Sequence, residues 1–525
     1  MSTEKIGRGT SRREFLGKSI AGTTTLGLST AILNSLCVHG GCSGQRISKL
    51  LVPEDVLKKA VELLMAKGAD FGDVFVERAT FDAISSDDRK INTTTTIEKG
   101  VGIRVVKNGK TFYAYTDSFT PEEIYKTAQF VADAAVEGAD KGTGMVVDLT
   151  RQSSDQIYSI APFPYNVAVE KKVELVQELT DRAWSTDSRV NQVSQFYREI
   201  IRDVTLATSS GKIINHTLGL TEIHATTYMK DKVGNLQRGF DGRSAYAGQN
   251  FFRGENSFES IVDKSVERAS NLLEAVDSPH GVFPVVMGPG GPGVIFHESC
   301  GHGMEADIVF KGSNFKDQIG KQTAAKGVTL IDDGTIPQMP GSFAFDDEGT
   351  PAQRTVLIED GTQQNYLCDL VWAQKIGKES TGSGRRQSFK FPPIPRMRNT
   401  FIDNGNISPD DIIAETKRGI YVAGPGGGQV DMVTGNFMMG VTEGYLIENG
   451  KITQPIKGAT LSGMGIEALK TIDMVGNDLK IFSLPYRCGK MQSAPVGFGM
   501  PTTRVRGILV GGKGEAWEDE KGGVQ

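Results

Sequence analysis

Residues 297–302 read His-Glu-Ser-Cys-Gly-His, two imidazoles with a carboxylate beside the first. Neutral imidazoles are the commonest nitrogen ligands for zinc, and an adjacent carboxylate can reach a metal-bound water. In the H-E-x-x-H spacing of zinc proteases both histidines share a helical face, roughly 40° apart at ~100° per residue. Here the spacing is one residue longer, so His297 and His302 stand roughly 140° apart on an ideal helix, too far round to share an ion. A metal site therefore requires the helix to bulge or break between them, and Gly301 makes such a distortion cheap. The alternative is a helix start with two partly exposed histidines.

A catalytic zinc needs three protein ligands and an open position for water. For the third ligand the chain offers Glu305, Asp307, His280, Cys300, Cys368 and Cys488. Glu305 lies one helical turn beyond His302, and Cys300 sits inside the motif on another side of the turn. Cys488, in Tyr486-Arg487-Cys488-Gly489-Lys490, stands in a Gly-rich loop, and a thiolate from such a loop can close a site that one helix cannot. Spacing does not choose among them. His216 and His224 fall in an alternating strand region and read as sheet-face or core residues. The acidic runs Asp346–Glu348 and Glu515–Glu520 lack the spacing of a calcium loop and read as solvated turn and tail.

The histidine motif must be carried by a strand-to-helix step. Strand Val282–Met287 is followed by Gly288-Pro289-Gly290-Gly291-Pro292-Gly293 and then the helix. That loop lacks the Gly-Lys-Ser/Thr ending of a phosphate loop, and its role is to bring the helix start close to the sheet. Upstream, Pro53–Lys67 is an amphipathic helix stopped by Gly68. Val101–Val106 and Thr111–Thr116 form a hairpin about Asn108-Gly109. Thr120-Pro121-Glu122-Glu123 opens a second helix with a capping box. A third helix runs over Val167–Trp184, followed by strands Val190–Ile200, Val204–Thr208, Lys212–His216 and Thr221–Lys230. A fourth helix, Phe258–Val276, ends at the Pro279/Gly281 link that marks the main domain boundary. Beyond residue 325 short strands and turns dominate, with one short helix near Ile466–Lys470.

The expected fold class is α+β: an α/β N-terminal region of strands and helices, then a large, mainly antiparallel β-rich C-terminal domain carrying the metal-binding helix. The expected division is 1–45 as a leader, 46–160 and 161–278 as two α/β subdomains, and 279–525 as the metallopeptidase domain. Within 525 residues the formal net charge is −5 with both signs interspersed, which leaves no basic footprint for nucleic acid. Five widely spaced cysteines form no disulfide ladder. Ser11-Arg12-Arg13-Glu14-Phe15-Leu16, followed by the weakly apolar Ser19–Val38, reads as a Tat export leader. That predicts a periplasmic or envelope-associated protein, with lipidation at Cys37 or Cys42 poorly supported and no membrane span beyond the leader.

From about residue 50 nearly to its end the chain resembles the TldD/PmbA family of metallopeptidases, and within it the TldD type. The matching stretches include Pro284–Met287 through His297–Asp307, Phe345–Pro351, Gly384-Arg385-Arg386 and Pro395–Thr400. Further matches are Gly426–Asp431, Met474–Leu479, Cys488-Gly489-Lys490 and Pro495-Val496-Gly497. The resemblance implies that His297, His302 and Cys488 bind zinc with Glu298 as general base. It also implies a PmbA/TldE-type partner chain in a heterodimer, and a cytoplasmic location as the alternative to export. The expected activity is zinc-dependent hydrolysis of unfolded or flexible peptides, bound as an added strand. The competing expectation is a non-catalytic peptide-binding or assembly subunit with a structural metal, against which the intact Glu298 argues. Action on DNA or gyrase has little support in the balanced charge and absent basic stripe.

Overall fold

The computed structural model describes residues 50–135, 148–152, 160 and 162–518. Helix α1 (Glu54–Met65) buries Val56, Leu57, Ala60, Val61, Leu64 and Met65, the stripe its spacing dictates. That stripe packs on β1 (Phe71–Asp87) and β2 (Lys90–Lys107). The chain returns as β3 (Lys110–Thr116) through Asn108 and Gly109, whose φ of 50° and 67° suit a primed hairpin turn. Helix α2 (Pro121–Ala134) starts at its proline, but the capping box does not form: the Thr120 hydroxyl pairs with that of Ser118 at 3.0 Å.

After β4 (Thr150–Gln152) and α3 (Val169–Thr186) come two strands where four were expected, β5 (Val190–Thr208) and β6 (Lys212–Lys230). Their antiparallel register is unbroken from Gln192↔Tyr228 to Ala207↔Ile213, so Arg202 and Asp203 interrupt the apolar pattern without interrupting the ladder. β7 (Leu236–Ala245) and α4 (Phe258–Glu274), the latter capped by Ser257, complete this half. β1 pairs with β5, joining everything into one sheet of order β3-β2-β1-β5-β6, with β4 and β7 on successive parts of β6.

All four helices lie on one face of this sheet, α1 and α2 over Val74, Val76 and Ile103, α3 and α4 over Val193, Tyr197 and Ile223. The opposite face is also apolar. Phe75, Val204, Leu206 and Ile214 pack on Phe389, while Ile200, Leu218 and Leu220 pack on Phe343.

The C-terminal half holds an eleven-stranded and a six-stranded sheet, both mainly antiparallel. The first includes β8 (Val285–Met287), and the second β9 (Asn399–Ile402). β10 (Arg418–Val430) runs parallel beside β8. A separate hairpin, β11 (Arg487–Lys490) with β12 (Gln492–Pro495), precedes β13 (Gly497–Met500), which lies parallel to β9. The fold is thus α+β, with one large core joining both C-terminal sheets to the histidine segment.

Two expectations are corrected here. The Asp346–Glu348 run is buried, not solvated. Glu348 Oε1 accepts from Arg104 Nη1 at 2.6 Å, and the same guanidinium donates to Asp73 at 2.5 Å. Asp346 accepts from the N–H groups of Glu348, Thr350 and Gly384, and burial beside the Glu348 charge raises its carboxyl to about 7. Of the acidic tail, Glu515 is exposed, its carbonyl accepting the His280 N–H, Ala516–Glu518 is a strand, and residues 519–520 lie outside the described residues.

The expectation of Tat export also does not stand. Members of the TldD/PmbA family, which the chain resembles, are typically cytoplasmic. Residues 11–38 lie outside the described residues, among which no helix is long and apolar enough to cross a membrane.

Candidate metal centre

The loop after β8 turns at Gly290 (φ +89°) and delivers the helical segment against β13. A Cβ on Gly293 would lie 2.5 Å from the Gly499 carbonyl oxygen, so only glycine allows this approach. The segment begins as α-helix at Val294–Phe296 and tightens to a 3₁₀ turn at His302–Met304. Between them, over His297–Gly301, it widens into a π-turn. Pairing of i with i+5 stacks residues five apart, which is the distortion the histidine spacing demands. The two imidazoles meet with ring centroids 5.6 Å apart at 76°. Close packing accounts for Gly301, where a Cβ would fall 2.0 Å from Met397 Sδ.

Cys488 arrives from β11, with Sγ 3.0 Å from His302 Nε2. One donor atom each from His297, Glu298, His302 and Cys488 lie within 4.8 Å of one another, all buried. Burial alone would raise the Cys488 thiol, but the charge on His302 outweighs it and brings the thiol down to about 5, favouring the thiolate that binds metals. His302 is held well above its ordinary value against burial, by Cys488 and Glu305.

Around these groups runs a ring of charge. His302 Nδ1 donates to Glu305 at 2.7 Å, which leaves Nε2 facing the cluster. Lys490, on the same side of β11 as Cys488, donates to Glu305 and Asp307 at 2.8 Å each and to the Pro395 carbonyl at 2.7 Å. Burial opposes ionisation of Glu305, yet Lys490 and His302 hold its carboxyl far below the usual range. Arg396 fixes the hairpin by donating to the Cys488 and Gln492 carbonyls at 2.6 and 2.7 Å. Tyr486 Oη donates to Glu298 Oε1 at 2.9 Å, and Glu298 Oε2 stands 3.5 Å from His302 Nε2.

The donor set suits a soft-to-borderline divalent ion such as zinc, for which imidazole and thiolate are preferred ligands. The His297 ring is wholly buried, yet neither of its nitrogens has a hydrogen-bond partner among the described residues, an arrangement a metal ligand explains.

The other third-ligand candidates fall elsewhere. His280 is exposed, with Nδ1 3.0 Å from the Gly514 carbonyl. Burial pushes the thiols of Cys300 and Cys368 up to about 12, and neither joins the cluster. Glu305 and Asp307 belong to the surrounding ring. Tyr486, Lys490 and Arg396 were not singled out from sequence. Strand alternation through 486, 488 and 490 would have put the first two beside Cys488.

Three descriptions of one family match the chain in order. They are PmbA/TldA metallopeptidase domain 1 over residues 72–139, the central domain over 163–273 and the C-terminal domain over 280–512. A metalloprotease TldD homolog of Haemophilus influenzae is 34% identical over 482 residues, covering 88% of this chain and 98% of that one. Its counterpart in Buchnera aphidicola is 33% identical over 86% of this chain and 95% of its own. A zinc metalloprotease TldD homolog of Saccharolobus solfataricus is 25% identical, covering 87% and 99%. Two solved structures share the fold. A proposed modulator of a DNA gyrase from Thermotoga maritima has a TM-score of 0.71 at 21% identity, covering 87% and 100%. TldE from Thermococcus kodakarensis has a TM-score of 0.69 at 21% identity, covering 87% and 99%. With a π-turn that gathers two histidines and a cysteine, and with relatives matched over nearly their whole length, this chain belongs to the PmbA/TldD family of metallopeptidases.

Proposed function

We propose that the chain is a zinc-dependent peptidase acting on unfolded or flexible peptides, with His297, His302 and Cys488 as ligands and Glu298 as general base. The observation that carries this reading is the buried convergence of those four side chains within 4.8 Å. The zinc metalloprotease among the relatives supports the choice of metal. His297, His302 and Cys488 would hold the zinc, which would supply Lewis-acid chemistry for a water and the scissile carbonyl. Glu298 would accept a proton from the attacking water at its carboxylate and pass it to the leaving amine. Tyr486 Oη keeps Oε1 of Glu298 fixed at 2.9 Å, so the carboxylate is oriented before substrate arrives. Glu305, accepting from His302 Nδ1, keeps that imidazole in the tautomer whose Nε2 presents its lone pair to the cluster. In this reading the substrate binds as an extended strand added to a sheet edge, read through its backbone. The likeness to TldE supports pairing with a PmbA/TldE-type chain.

The test is elemental analysis alongside peptide hydrolysis. Glu298→Gln is expected to keep its zinc and lose ~10²–10⁴-fold in rate. Cys488→Ala is expected to lose zinc, while Cys368→Ala keeps it. Full zinc in Cys488→Ala would overturn the ligand set, and normal turnover by zinc-loaded Glu298→Gln would remove the base. A chain that binds zinc and hydrolyses nothing, even with its partner, would make the metal structural.

A further inference from the structure

The β11–β12 hairpin has two faces. Cys488 and Lys490 look onto the metal centre, whereas Arg487 and Pro495, paired across the hairpin, look the other way. On that second side lies a cavity of about 50 Å³, closed opposite by β1, β5 and β6 and by residues 385–388. Four arginines line it, Arg202, Arg385, Arg386 and Arg487. Phe81, Leu218, Leu220 and Phe343 make its apolar wall.

The carboxylates at this wall are already engaged. Glu77 accepts from Arg202 Nε at 2.6 Å with one oxygen and from the Phe389 N–H at 2.7 Å with the other. Asp347 accepts the Arg386 N–H at 2.7 Å, Glu98 stands 3.7 Å from Lys390, and Arg487 reaches Glu222 at 3.3 Å. Arg385 has no ion-pair partner among the described residues. Its two terminal nitrogens donate to the carbonyls of Met397 and Pro495, each at 2.6 Å. Burial and the neighbouring Arg398 bring its guanidinium down to about 10. Nη2 of Arg202, and Nε and Nη1 of Arg386, are buried without a hydrogen bond among the described residues. Arg386 also reaches Asp73 at 3.1 Å, so of the four only Arg385 lacks a carboxylate among the described residues, while the open N–H groups of Arg202 and Arg386 lack acceptors. Buried N–H groups of a cation left without an acceptor are costly, and a carboxylate supplies one together with counter-charge for Arg385.

We propose that this cavity is a carboxylate subsite, taking an acidic group on a short apolar stem: an Asp or Glu side chain, or the C-terminal carboxylate, of the bound peptide. The peptide as source rests on the peptidase reading; binding of the anion does not. The test uses the full chain carrying Glu298→Gln, so that peptides are bound and not cut. Calorimetric probes are glutarate, a flexible peptide with one internal Glu, its Gln counterpart, and each peptide with a free or amidated C-terminus. The acidic member of a pair is expected to bind at least about tenfold more tightly, as for a charge-assisted hydrogen bond. The member that shows this advantage tells side chain from terminus. Arg487→Gln is expected to abolish the preference while the melting curve stays cooperative, and Arg385→Gln serves if that variant does not fold. Equal binding of acidic and neutral peptides with no glutarate heat would overturn the subsite, as would a preference untouched in a folded Arg487→Gln chain. Glutarate binding by wild type that cleaves no peptide would support the subsite while sinking the peptidase reading.

Discussion

Glu298 illustrates how one hydrogen bond can decide a residue's chemistry. Among the described residues Tyr486 alone donates a short hydrogen bond to its side chain, so Tyr486→Phe is expected to lower kcat/KM on the order of tenfold, the value of one charged hydrogen bond. Zinc content should not change, because Tyr486 is not among the clustered donors. Turnover and elemental analysis on one preparation check this; unaltered turnover would leave Tyr486 only its edge-to-face packing on Phe498. His216 makes a prediction of another kind. Burial lowers its pKa from 6.5 to about 4, so between those values the unfolded chain takes up a proton that the native one refuses. Its contribution is therefore complete above about pH 6.5 and is lost as pH falls toward 4, at ~1.4 kcal/mol per unit. Urea unfolding from pH 4.5 to 7.5 should show a shallower acid limb in His216→Asn, and identical limbs would mean native His216 is protonated. At this scale the histidine pair and its glutamate were legible because their types announce chemistry. The choice of Cys488 came only from family resemblance, since no spacing rule links residues so far apart.

Among the elements, the π-turn is the one on which the proposed metal centre depends. Gly301→Ala would drive a methyl into Met397 Sδ and is expected to cost ~1–3 kcal/mol, as overpacking of a tight core does. Denaturant midpoints would read the stability, and a competitive chelator would read a weakened zinc site; a neutral result in both would show that Met397 yields freely. The need for a distortion was visible in the spacing of His297 and His302, because an ideal helix cannot bring them together. Its form was not, since a bulge and a break leave the same sequence pattern. Helices α1 to α4 were legible to within a few residues because each carries a clean apolar stripe. Strands β5 and β6 were read as four because polar residues such as Arg202 and Asp203 break the alternation, while main-chain pairing does not need it. β1 and β7 were passed over for the same reason, their polar and apolar residues being mixed along both faces.

For the whole molecule the decisive contact is Asp73–Arg104–Glu348, fully buried and joining the N-terminal sheet to the C-terminal half. Arg104→Met would leave two carboxylates without their main counter-charge and is expected to destabilise by ~3–5 kcal/mol, measured by chemical denaturation. A loss below ~1 kcal/mol would show that Arg386, which also reaches Asp73 at 3.1 Å, suffices alone. No local pattern reveals such a contact, and the Asp346–Glu348 run looks like a surface turn until its distant arginine is known. The apolar second face of the N-terminal sheet has a consequence for synthesis. When residues 54–278 have left the ribosome, the four helices can settle on one side, while Phe75, Leu206 and Leu220 still await Phe343 and Phe389. At ~5–20 residues per second that wait lasts on the order of ten seconds. Throughout it the nascent chain displays an uncovered greasy sheet, which makes this protein a natural client for ribosome-associated chaperones.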